Sequence, residues 1–96
     1  MIIMEVYVLR YEDCTNNQYH SQTLGVYNSI EAARDAMKEL RDDDLNNYFD
    51  NGYGDCETIE ELAHLLVEES EDEVTFDFAN DYTTYVVEKF PVKGGE

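Results

Sequence analysis

The sequence predicts an α+β fold of order ββααββ, a four-stranded antiparallel sheet with helices on one face. Three observations carry that reading. Residues 2–11, 19–27, 74–78 and 82–90 read as strands, with the period-two alternation of half-buried ones. Two segments between them show the 3.6-residue apolar period of amphipathic helices. A polar, Asn-rich loop joins the first two strands as a hairpin. Ninety-six residues suffice for one core, so residues 1–96 are read as a single domain.

Each element has its own signal. The first strand reads Ile2 to Tyr11, with Val6 and Val8 on one face and Tyr7 and Leu9 on the other. Residues 12–18 supply the turn, and a second strand runs from Tyr19 to Tyr27 with His20, Gln22, Leu24 and Val26 alternating against Tyr19, Ser21, Thr23 and Tyr27. Ser29 offers an N-cap and Glu31 a negative charge in the first helical turn. Ile30, Ala33, Met37 and Leu40 form the stripe of that helix. Asp44 would fall on the same stripe, and an unpaired carboxylate there is costly. The reading therefore ends or bends the helix near Arg41 to Asp43 and makes 45–49 a separate turn.

Thr58 and Glu61 have the spacing of a capping box before a second helix, whose stripe is Ile59, Leu62, Ala63, Leu66 and Val67. That helix is expected to finish in the acidic run from Glu68 to Glu73, against the preference for cations at a helix C-terminus. Val74 to Phe78 and Tyr82 to Phe90 are the last strands, joined by a turn at Ala79, Asn80 and Asp81, and the tail Lys93 to Glu96 is expected to fray.

Charge is the strongest compositional feature. Twenty-three Asp and Glu against six Lys and Arg give a net charge of −17. Such a field repels nucleic acid and anionic membrane and attracts basic proteins. The sixteen acids between Asp42 and Glu88 are interrupted by no Lys or Arg, whereas all six cations lie outside that window. An ordinary surface intersperses the two signs. No apolar run reaches the roughly 20 residues of a membrane span, and the start of the chain lacks a signal-peptide pattern. The expected setting is the cytoplasm, of the host cell if phage-encoded, with Cys14 and Cys56 as free thiols.

Catalytic and metal motifs are not legible. Asp42, Asp43, Asp44, Asn46 and Asp50 suggest calcium ligands, but Gly52 falls out of EF-hand register. His64 follows Glu60 and Glu61 and precedes Glu68 on the second helix. A di-iron site would need a second Glu-x-x-His copy, and the chain has none. Cys14 with His20, or Cys56 with His64, lacks a third orienting group. No cofactor and no enzyme activity are therefore expected. A small thiol- or metal-dependent enzyme is the competing reading.

The expected partner is a basic protein, a nucleic-acid-processing enzyme or CRISPR effector, with no direct contact to nucleic acid. The candidate binding residues are Asp42, Asp43, Asp44, Tyr48, Asp50, Tyr53, Asp55, Glu57, Glu68, Glu69, Glu71, Asp72 and Glu73. Carboxylates beside tyrosines suit Arg and Lys through ion pairs and cation–π contacts. Eight Tyr and an exposed strand edge equally suit a homodimer.

Val6-Tyr7-Val8-Leu9, then Leu24-Gly25-Val26-Tyr27-Asn28-Ser29-Ile30-Glu31-Ala32-Ala33 and Ala36, resembles a hairpin-plus-helix pattern of small phage and bacterial proteins, over about residues 5–40. In size and acidity the remainder is similar to phage-encoded anti-defence proteins, the anti-CRISPR inhibitors and DNA-mimicking antirestriction proteins. That resemblance implies an acidic face seated in a basic DNA-binding or PAM-reading channel. Barstar-like immunity proteins, which neutralise a nuclease toxin, are similar in the same respect.

Overall fold

The computed structural model describes residues 2–78 and 81–94. It is α+β: β1 (Ile2–Thr15), β2 (Gln18–Tyr27), α1 (Ile30–Asp50), a 3-10 turn (Tyr53–Asp55), α2 (Ile59–Leu66), β3 (Val67–Glu69), β4 (Glu73–Asp77) and β5 (Tyr82–Gly94). The five strands are all antiparallel, in the order β2-β1-β5-β4-β3. Both helices cover one face, and no described element packs on the other.

The hairpin is tighter than the loop composition suggests. Thr15 pairs with Gln18, leaving only Asn16 and Asn17 at the turn, with φ of 54° and 65°. Two left-handed residues make a two-residue turn that matches the twist of its strands, and Asn tolerates that conformation better than most residues. Register shifts further along, where Leu9 pairs with Gly25 but Arg10 pairs with Thr23. Leu24 is thus an extra residue, a β-bulge. The uniform alternation expected for β2 breaks there: Gln22 shares a face with Tyr11, while Val26 lies beside Val8 on the opposite face. A Cβ at Gly25 would lie 2.9 Å from the Tyr27 ring, so a larger residue there would displace that ring.

The first helix corrects the expected break. α1 runs unbroken for 21 residues, capped by the Ser29 side chain accepting from the Ala32 N–H. Asp44 does fall on the inward stripe, but the Tyr85 hydroxyl donates a hydrogen bond to it. With its partner supplied by β5, the carboxylate no longer forces the helix to end.

The second correction adds a strand. α2 ends at Leu66, eight residues after Thr58 caps it at the Glu61 N–H. The Glu61 carboxylate reaches back to the backbone N–H of Glu57. Val67 is already extended and pairs with Phe76. The acidic run is therefore β3 and a turn closed by Ser70 N–H to Glu73 O at 2.8 Å, not a helix C-terminus. The apparent conflict with the helix dipole disappears, since His64 is the residue in the last turn of α2.

The core joins Leu9, Val74, Phe76, Tyr85 and Val87 of the sheet to Ala33, Met37 and Leu45 of α1 and Leu62 and Leu66 of α2. Past β2 and β4, strands β1 and β5 continue together from Val6 and Phe90 to Ile2 and Gly94 as a two-stranded ribbon. Lys93 therefore lies in a strand. Of the expected turn and tail, Ala79, Asn80, Gly95 and Glu96 lie outside the described residues.

Candidate functional site

Three groups of acids stand in distinct environments. The first is structural. Asp44 receives the Tyr85 hydroxyl, and Asp13 receives that of Tyr11, with His20 Nδ1 3.1 Å from its other oxygen. Burial and then the carboxylate hydrogen bond raise both phenols, Tyr11 to about 12. The Tyr11 hydroxyl, followed by His20, holds Asp13 below the ordinary Asp value.

The second set is ion-paired. Arg34 Nε lies 2.8 Å from Asp72 Oδ1 and its NH2 lies 3.3 Å from Glu71. One α1 turn and three residues later, Arg41 contacts Glu69 at 3.3 Å and Asp42 at 2.9 Å. Two arginines of α1 thereby clamp the β3–β4 turn. Arg10 on the open face of the sheet holds Glu88 at 2.9 Å and Glu12 at 3.6 Å. These pairs are partly solvated, so water and salt screen them and each contributes little to stability.

The third set is unpaired and lies along α1. Glu31, Asp35, Glu39 and Asp43 recur every four residues, which places them on one helix face at intervals of about 6 Å. All four are exposed and form no salt bridge with a described residue. Asp42 flanks the row, and exposed Asp50 extends it to about 29 Å from Glu31. The last turn of α1 contains no basic residue. Like charges four apart each cost a helix about 0.2–0.5 kcal/mol, and this row has three such pairs.

The residues expected from the sequence are therefore not one cluster. Asp43 and Asp50 join the α1 row, and Asp42 flanks it in an ion pair with Arg41. Asp55 and Glu57 are exposed in the connection to α2. Glu69, Glu71 and Asp72 are tied to arginines, while Glu68 and Glu73 point to the open sheet face, opposite Thr75 and Val86 in the ladders. Tyr48 is half-buried, its ring edge-on to Phe78 at 5.2 Å and 5.7 Å from Phe76. Tyr53 is 40% exposed and stands edge-on to Phe78. Of the two tyrosines it is the more accessible.

Glu31, Asp35 and Glu39 were legible as a four-residue acidic repeat that continues into Asp43. Attention to the cation-free window starting at Asp42 hides it, because α1 crosses that boundary. The other chemistry-bearing side chains remain dispersed. Cys14 pairs in register with Tyr19, whereas His20 pairs with Asp13, so Cys14 and His20 face opposite sides of the sheet. Cys56 Sγ sits 3.7 Å from Gly54 O, and His64 is exposed. No group of three metal-ligating side chains occurs among the described residues. No helix among them is long and apolar enough to cross a membrane. No protein-family model, curated protein or solved structure matches the chain.

Proposed function

We propose that the protein is a non-enzymatic inhibitor whose acidic α1 face occupies a basic nucleic-acid-binding channel of a defence nuclease, in the manner of anti-CRISPR and antirestriction DNA mimics. One observation carries this reading. The fold leaves Glu31, Asp35, Glu39 and Asp43 unpaired in a row while arginines on the same helix neutralise other acids. The row keeps three repulsive spacings that a neutral side chain at Asp35 and Glu39 would remove. A rigid helix holding carboxylates at regular intervals presents a preorganised anionic ladder to Arg and Lys that otherwise grip phosphates. Long-range attraction would speed capture, and the central acids would govern release.

The test is DNA cleavage by a panel of CRISPR effectors and restriction enzymes, with and without the protein. Inhibition should compete with DNA and weaken as salt rises. The Asp35→Lys/Glu39→Lys/Asp43→Lys variant should lose at least a hundredfold in inhibition while its circular dichroism is unchanged. Equal inhibition by that folded variant, or no inhibited enzyme in the panel, overturns the proposal.

A further inference from the structure

The two edges of the sheet are built differently. β3, at one edge, has three residues, two of them Glu. Shortness and charge are the usual defences of an exposed edge. β2, at the other edge, has ten residues and neither Asp, Glu, Lys, Arg nor Pro. It lies within a 17-residue run, Cys14 to Ile30, free of all four charged residue types in a chain of net charge −17. β1 pairs with only one side of β2, so the outward backbone N–H and C=O groups of β2 have no strand partner. Of the six exposed large hydrophobic residues among those whose side chains are described, Tyr19 (58%), Leu24 (38%) and Val26 (61%) belong to this strand.

We infer that β2 is a self-association edge: two copies pair β2 to β2 in antiparallel fashion and form one continuous ten-stranded sheet. Charge selects the occupant. A basic partner is drawn to the acidic rows, whereas β2 itself supplies no carboxylate; the nearest ones, Asp13 beside His20 and Glu39 and Asp43 beside Leu24 and Tyr27, flank the strand. A second copy of the same net charge meets least repulsion along the one long strand that carries no charge of its own. Antiparallel pairing of a strand with itself is two-fold symmetric, so one strand supplies both halves of the contact. The uninterrupted stretch from Gln18 to Thr23, before the Leu24 bulge, supplies the regular ladder. The bulge limits its length at one end and thus fixes where pairing stops.

This pairing has a salt signature opposite in sign to capture of a basic protein. The remaining charge opposes dimerisation, so screening should promote it. Sedimentation equilibrium of the full chain should give the 11.2 kDa monomer at low salt and move toward twice that mass at high salt. Thr23→Glu should weaken the high-salt dimer at least tenfold. Arg10, its cross-strand neighbour, can accept the new carboxylate within the monomer. Should that variant misfold, hydrogen exchange of the unaltered chain decides: the amides of residues 18–23 should gain protection at high salt and high concentration. A chain that stays monomeric at high salt, a dimer whose 18–23 amides gain nothing, or a dimer unaffected by folded Thr23→Glu overturns the inference. Larger open-ended assemblies overturn it too, since a symmetric edge contact closes at two copies.

Discussion

The outer face of α1 and the outer edge of β2 are both solvent-exposed, yet one carries a regular row of acids without salt bridges and the other carries no formal charge at all. They begin next to each other in sequence: β2 ends at Tyr27 and the first acid of the row is Glu31. General acidity, as a device for solubility alone, would spread carboxylates over both surfaces. Their separation shows that net charge is a poor description of this molecule. The informative quantity is which acids lack a salt bridge after folding, and the fold directs the salt bridges of Arg34 and Arg41 to Asp72, Glu71, Glu69 and Asp42 rather than to the row.

The comparison can be broken most strongly at the inward acids, which should behave unlike the outward ones. Tyr85→Phe leaves half-buried Asp44 without its hydroxyl donor. An unmet buried acceptor costs about 1–3 kcal/mol, so urea unfolding should show a loss of that size, while inhibition by the folded fraction stays unchanged. Asp13 offers a gentler version. Its folded pKa is lowered by Tyr11 and then His20. Its contribution to stability is therefore present above the unfolded value near 3.9 and fades as pH falls through the folded value. The stability difference between the natural chain and Asp13→Asn, followed by thermal unfolding, should shrink across that acidic window. A difference that persists unchanged at the acid end would show that the ionised carboxylate is not the stabilising species.

The local part of this architecture was legible in the sequence. Ser29 and Thr58 announce their helices because a cap acts over three residues, and the hairpin follows from Asn-rich turn chemistry. What escaped was set by distant partners. Asp44 looked like a helix terminator because its donor, Tyr85, lies 41 residues away. β3 was concealed because two of its three residues are Glu, and only pairing with β4 makes it a strand. The acidic run from Glu68 to Glu73 looked like a single binding patch. Arg34 reaches Asp72 across 38 positions and Glu71 beside it, Arg41 reaches Glu69 across 28, and these contacts remove three of the five acids of the run from competition for a partner. The α1 row, in contrast, is purely local in origin. Reading it required only a period of four that ignored the boundary at Asp42.

The most direct measurement follows stability and inhibition together in the Asp35→Asn/Glu39→Gln variant, which keeps side-chain size and removes all three repulsive spacings. The account predicts a gain of about 1 kcal/mol in unfolding free energy with at least a tenfold loss of inhibition. That outcome is the signature of acids retained for a partner at the expense of the helix. A variant that is more stable and inhibits equally well would contradict the account.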